Sequence, residues 1–189
     1  MAESIIFILI IGIALIGIVY AFHITWISPI FLVTVLALLI LPGMYAAFTS
    51  GPFVPSARKR HKAMIDLAGL KSGDIVYDLG CGDGRLVFDA SPKVKKAIGY
   101  ELSIPLVLYG KLISPFIKGN PKIMFGNIWK QDYKDANVIF CYLMPGAMKK
   151  FYAKIWPKLT PGTRVISNSF QIHDVKPVKV DDHVYLYIA

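Results

Sequence analysis

Two long apolar stretches open the chain. Residues 5–22 and 30–48 contain no Asp, Glu, Lys or Arg. Each is long enough to cross a hydrocarbon core of ~30 Å as a helix rising ~1.5 Å per residue. A short polar turn with His23 and Trp26 separates them. The pattern predicts a helical hairpin with both ends on one side of a membrane. Pro42 and Gly43 fall inside the second stretch, where membrane helices tolerate a kink.

The pattern changes after residue 50. Gly51-Pro-Phe-Val-Pro55 reads as an extended linker, because a residue before proline avoids the helical region. Ser56 is placed to cap a helix whose apolar positions Ala57, Met64, Ile65 and Ala68 carry it to about residue 70. Short apolar runs bounded by turns predict strands at 75–79, 97–101, 122–125, 137–142 and 163–168. Helical spacing at 85–90, 105–113 and 146–156 alternates with them. Residues 175–180 and 184–188 predict a closing hairpin that turns at 181–183. This alternation predicts an α/β fold with a doubly wound, mostly parallel sheet of seven strands over residues 51–189, preceded by a membrane anchor over 1–50. Ligands of such sheets bind outside the carboxyl ends of the strands.

Charge divides the chain at the same place. Glu3 is the sole acid among the first fifty residues, whereas all 21 Lys and Arg residues lie beyond them. Arg58, Lys59, Arg60 and Lys62 follow the second apolar stretch, and the turn between the stretches has no Lys or Arg. The positive-inside rule therefore places the catalytic part on the cytoplasmic face, with its basic flank near anionic lipid. The remaining lysines are scattered over several segments, so lipid contact and a solvated face account for them without nucleic acid. Cys81 and Cys141 have no metal-ligand spacing and fit reduced thiols, and no metal site is expected.

The chemistry concentrates in Asp74-Ile-Val-Tyr-Asp-Leu-Gly-Cys-Gly-Asp-Gly-Arg85, which sets Asp78, Gly80, Gly82 and Gly84 directly after a strand. Glycines let the chain turn sharply and let a ligand lie against bare main chain. A dinucleotide loop would prefer a third glycine where Arg85 stands, and an acid beside a pyrophosphate would be repulsive. S-adenosylmethionine (SAM) carries an ammonium and a sulfonium, so Asp78 favours it. Glu101, ending the next strand, is placed for the ribose hydroxyls, and Asn127 for the adenine.

These residues resemble the first motif and the strand-two acid of class I, seven-stranded SAM-dependent methyltransferases. With Pro52-Phe-Val-Pro55, Gly99-Tyr-Glu101, Gly162-Thr-Arg-Val-Ile-Ser167 and Val184-Tyr-Leu-Tyr187, the likeness narrows to small archaeal protein-lysine methyltransferases and mitochondrial membrane-anchored ones. The resemblance implies SAM bound by Asp78, Gly80, Cys81, Gly82, Gly84, Glu101 and Asn127. It also implies an acceptor side at Phe53, Pro55 and Tyr142, and lysine on a protein, at a membrane, as substrate. Two alternatives remain on the sequence. One is a small or lipid-like acceptor such as a quinone precursor, and the other is a SAM-binding membrane protein without activity. Cys141-Tyr-Leu-Met-Pro145 lacks the Asn/Asp-Pro-Pro-Tyr/Phe pattern of many adenine and glutamine methyltransferases, which argues against those acceptors.

Overall fold

A computed structural model describes Ile13, Gly17 and residues 29–49, 58–173 and 175–189. The first apolar stretch (apart from Ile13 and Gly17), the 51–55 linker and the cap at Ser56 lie outside the described residues.

The second apolar stretch is helix α1 (Pro29–Thr49), which continues through Pro42. It is 21 residues long and charge-free, but its side chains are described only from Ile30 to Tyr45. Among the described residues, accordingly, no helix is long and apolar enough to cross a membrane. Ile30, Phe31, Val33, Leu38 and Leu41 are all exposed.

The predicted α/β domain forms as a seven-stranded sheet. Helix α2 (Arg58–Ala68) precedes β1 (Ile75–Leu79), α3 (Arg85–Ala90), β2 (Lys96–Glu101), α4 (Ile104–Ile113), β3 (Lys122–Phe125), β4 (Val138–Cys141), α5 (Pro145–Lys154), β5 (Arg164–Asn168), β6 (Lys179–Asp181) and β7 (Val184–Ile188). The sheet order is β3-β2-β1-β4-β5-β7-β6, with β1 to β5 parallel and β7 antiparallel to both its neighbours.

Alternation along the central strands distributes apolar side chains to two cores. Tyr77, Leu79, Ile139, Cys141, Val165 and Tyr187 join Met148 and Phe151 of α5 on one side. Val76, Val138, Phe140, Ile166 and Val184 join Met64, Leu67 and Ala68 of α2 on the other. Burial on both faces explains why these strands read as continuous apolar runs.

Three boundaries differ from the sequence expectation by two residues or more. Helix α2 ends at Ala68 rather than residue 70, because Gly69 turns the chain at φ +51°. Helix α5 stops at Lys154, and Trp156–Lys158 forms a 3-10 turn around Pro157, which cannot continue an α-helix ladder. Strand β6 spans only Lys179–Asp181 instead of 175–180, since Pro177 has no N–H to donate to the ladder.

The end of α2 is fixed from below. Arg164, opening β5, donates to the carbonyls of Ala68 and Gly69 and to Asp74 Oδ2 at 2.6 Å, and that oxygen also accepts from the Lys71 N–H at 2.7 Å. This clamp lies at the amino ends of the strands, away from the glycine loop.

Candidate active site

The register of the sheet aligns four strand ends. Leu79 pairs with Tyr100 on one side and Cys141 on the other, and Cys141 pairs with Ser167. The next residue on each strand therefore falls in one row: Glu101, Gly80, Tyr142 and Asn168. Strands lie ~4.8 Å apart, so the row is about 15 Å long. It lies at the carboxyl ends, where the fold places ligands.

The first half of the row is acidic and rigid. Gly80, Gly82 and Gly84 take φ values of +79°, +57° and +84°, a region open to glycine at little cost. The loop satisfies its own main chain. The N–H groups of Gly80 and Cys81 donate to Tyr100 O, that of Gly84 to Cys81 O, and that of Gly82 to Glu101 Oε2 at 3.0 Å. Glu101 Oε1 accepts from the N–H groups of Leu102 and Ser103, both at 2.8 Å. Three backbone donors thus hold this carboxylate in one orientation. Asp83 is engaged by Arg85, whose Nε lies 3.0 Å from each carboxylate oxygen. Arg85, which replaces the third glycine of a dinucleotide loop, therefore neutralises an acid of the loop itself.

Asp78 is buried one residue before the loop. Its desolvation, then Glu101 and Asp83, push its carboxyl from 3.8 up to about 8. An acid held in its neutral form by burial and like charge is primed to gain from a cation.

Not every residue of the motif faces the ligand space. The Cys81 side chain turns under the loop against the sheet: a Cβ on Gly99 would come 2.4 Å from Cys81 Sγ. Burial and the nearby acids push its thiol well above the ordinary value. The Cys81 side chain is therefore a packing group, and cofactor contact at this position is left to its main chain. Gly84 is also a packing position, where a Cβ would meet Ile123 and Phe88 at 2.8 Å. A Cβ at Gly80, by contrast, would meet nothing within 4 Å, so bare main chain borders open space there. Asn127 Oδ1 accepts from the Trp129 N–H at 2.9 Å and caps the 3-10 turn Ile128–Lys130, which fixes that side chain just beyond β3.

The second half of the row is aromatic. Tyr142, half-buried after β4, stacks on Phe170 with ring centroids 6.1 Å apart and planes at 23°. Phe170 is placed by a kink after β5, where Ser169 adopts φ +64°. Ser167 Oγ donates to Phe170 O at 2.5 Å, and Arg60 Nη1 of α2 donates to Ser169 Oγ at 3.0 Å. Sequence reasoning missed Phe170 and Arg60. The sequence offered for Phe170 only its position just past a predicted strand. Phe53 and Pro55 lie outside the described residues. Cys141 is fully buried and pushed up to about 12, so it is a core thiol and not a nucleophile.

A seven-stranded sheet of this order, with a glycine loop after its first strand and an acid ending its second, is the architecture of class I SAM-dependent methyltransferases. Residues 78–179 match the ANTKMT methyltransferase domain. A protein-lysine N-methyltransferase of Saccharolobus islandicus is 34% identical over 149 residues, covering 72% of this chain and 92% of the relative. A human lysine N-methyltransferase, named for the C subunit of ATP synthase, is 30% identical over 135 residues, which cover 70% of this chain and about half of the relative's length (56%). Among solved structures, an RNA methyltransferase of Salinibacter ruber in complex with S-adenosyl-L-homocysteine superposes with a TM-score of 0.67. It is 28% identical, with 71% of this chain and 93% of that one covered. The chain belongs to the ANTKMT methyltransferase domain family, and its cofactor is SAM. The residues present fit that cofactor. The Asp78 pocket seeks positive charge, Gly80 leaves main chain open beside it, and Glu101 holds a fixed acceptor at the end of the next strand.

Proposed function

We propose that this protein transfers a methyl group from SAM to lysine side chains of proteins, and that it does so held at a membrane by its N-terminal apolar segments, with the catalytic domain on the cytoplasmic side. The observation that carries the lysine reading is the row of strand ends, with Glu101 and the nearby Asp78 on one side and Tyr142, stacked on Phe170, on the other. SAM, when bound, supplies a methyl group on a sulfonium sulfur. Asp78 would hold its cationic end and Glu101 its ribose, with Asn127 at the adenine. Tyr142 and Phe170 wall the acceptor side. An aromatic wall suits an amine in two ways. It lowers the local dielectric, which favours the neutral, nucleophilic amine. Its ring faces also attract a methylated ammonium. Alignment and exclusion of water are the main tasks in such a displacement. The protein-lysine relative at 34% identity supports this acceptor over the RNA acceptor named for the neighbour at 28%.

Membrane attachment is supported by the charge-free helix α1, with its exposed Ile30, Phe31, Val33 and Leu38, and by the uncharged residues 5–22 before it. The cytoplasmic side rests on the basic residues 58–62 that follow the second stretch.

The experiment is incubation of the detergent-solubilised chain with methyl-tritiated SAM and native membranes, followed by gel separation and lipid extraction. The expected result is label in discrete protein bands, resistant to base and mapped to lysine. Label confined to the lipid extract would overturn the lysine acceptor and select a lipid-like one.

A further inference from the structure

Helix α4 is apolar on both faces. Its inner side, with Val107 and Gly110, is buried. Gly110 lets the helix sit directly on β3, for a Cβ there would come 2.9 Å from Ile123. The outer side of such a helix is ordinarily charged. Helix α2 follows that rule with exposed Lys59, Lys62 and Asp66, and α5 with exposed Lys149 and Lys154. Helix α4 instead exposes Leu108 (59%), Tyr109 (51%) and Leu112 (69%), and Phe116 follows one turn on at 82%. Leu108 and Leu112 are four residues apart and form one stripe on the helix face, and the 3-10 turn Ser114–Phe116 adds Phe116 after the helix ends. Edge strand β3 extends the apolar surface with exposed Met124 and Phe125.

Charge and position both indicate what this face meets. Between Ile104 and Phe125 the charged residues are Lys111, Lys118 and Lys122, all exposed, with no acid among them. The start of α4 adjoins α1: a Cβ on Gly43 would lie 3.6 Å from Ser103 Cβ. The stripe therefore begins beside the charge-free helix and runs away from it, edged by lysines. Apolar residues on one side with lysines at the border are the pattern of a helix lying in a membrane interface. Contiguous exposed apolar patches in soluble proteins are otherwise small.

We propose that this α4 face rests in the interfacial layer of an anionic bilayer, with Leu108, Tyr109, Leu112 and Phe116 among the acyl chains and the three lysines at the headgroups. It is a second membrane contact, made by the catalytic domain itself, and it rests on the anchoring reading above. Because α4 starts three residues after Glu101, which closes β2, this contact fixes how the active-site row faces the bilayer.

The test places an environment-sensitive fluorophore on Leu112→Cys in the full chain, where the native Cys81 and Cys141 are both buried. The protein is reconstituted in phosphatidylcholine vesicles, with or without phosphatidylserine, containing lipids brominated along the acyl chains. Leu38→Cys in α1 and Lys149→Cys on α5 carry the same label in parallel. The expected result is quenching at 112 that increases with phosphatidylserine, quenching at 38, and none at 149. Replacing Lys111, Lys118 and Lys122 with Gln should remove the phosphatidylserine dependence. An unquenched label at 112 beside a quenched one at 38 would overturn this proposal and leave the anchor standing. Loss of quenching at both positions would overturn the anchor as well. Disulfide-linked dimers through Leu112→Cys, with no lipid quenching, would assign the face to a second copy and overturn the lipid assignment.

Discussion

Replacing Asp78 with Asn should make the ligand-free protein more stable and a poorer binder of SAM. Burial, Glu101 and Asp83 hold the Asp78 carboxyl at about 8 in the folded protein, against 3.8 ordinarily. Below pH 3.8 both states are protonated and the burial costs nothing. Between 3.8 and about 8 the unfolded chain has lost its proton while the folded one keeps it, so stability falls as pH rises, by about 1.4 kcal/mol per pH unit. Above about 8 the penalty is constant, on the order of 5 kcal/mol. Asn has no proton to lose. The advantage of Asp78→Asn over wild type should therefore grow by about 4 kcal/mol from pH 5 to pH 8 and then level off. In a chain of this size each kcal/mol moves the melting temperature by roughly 3 °C, so melts of the detergent-solubilised proteins across that range resolve it. SAM reverses the order, because its cations give the carboxylate a partner. Wild-type affinity should rise with pH up to about 8, while the variant binds more weakly by about 1.5–3 kcal/mol, roughly 10- to 100-fold. The ammonium of SAM titrates in the same region for both proteins, so their difference isolates Asp78. A melting difference that does not change with pH would refute the argument.

Gly99→Ala would press a Cβ to 2.4 Å from Cys81 Sγ, 2.6 Å from Cys81 Cβ and 2.9 Å from Val87, costing about 1–3 kcal/mol in chemical unfolding, and Cys81→Ala in the same chain should recover only part of it because the last two contacts remain. Arg164→Ala strands the buried Asp74 carboxylate and two carbonyls at the end of α2. A loss of about 3–5 kcal/mol is expected, with the SAM affinity of the folded protein unchanged in calorimetry. Phe170→Ala removes the ring stacked on Tyr142 and should lower kcat/KM for the methyl acceptor by about tenfold, again with unchanged SAM affinity. An equal loss in SAM binding would move Phe170 from the acceptor side to the cofactor side.

The fold was largely legible because its central strands are buried on both faces and so appear as unbroken apolar runs between turns. Strands β1, β3 and β7 have the predicted limits, and β2, β4 and β5 differ by a residue at one or both ends. The exceptions are local: Pro177 shortened β6 and Pro157 turned the end of α5 into a 3-10 turn. The cofactor half of the site was legible for a different reason. Glycines and acids at fixed offsets from a strand have few other uses, although spacing alone did not reveal that the Cys81 side chain turns inward against Gly99. The acceptor half was harder. Phe170 owes its place to a left-handed residue at Ser169, a non-glycine conformation that the sequence does not announce. Arg60 and Arg164 read as ordinary basic residues until the sheet brings them to partners about a hundred positions away.

Helix α2 is fastened to β5 at both ends, by Arg164 at the amino end of that strand and by Arg60 on Ser169 just past its carboxyl end. It is also the first described helix after α1. Force carried along the chain into Arg58 would enter the domain through α2 and pass to β5. The strand that takes up this load is the one whose end carries Phe170. Torque on α2 would therefore tilt the aromatic wall together with the helix, leaving the self-satisfied main chain of the glycine loop, two strands away on β1, apart from the strain.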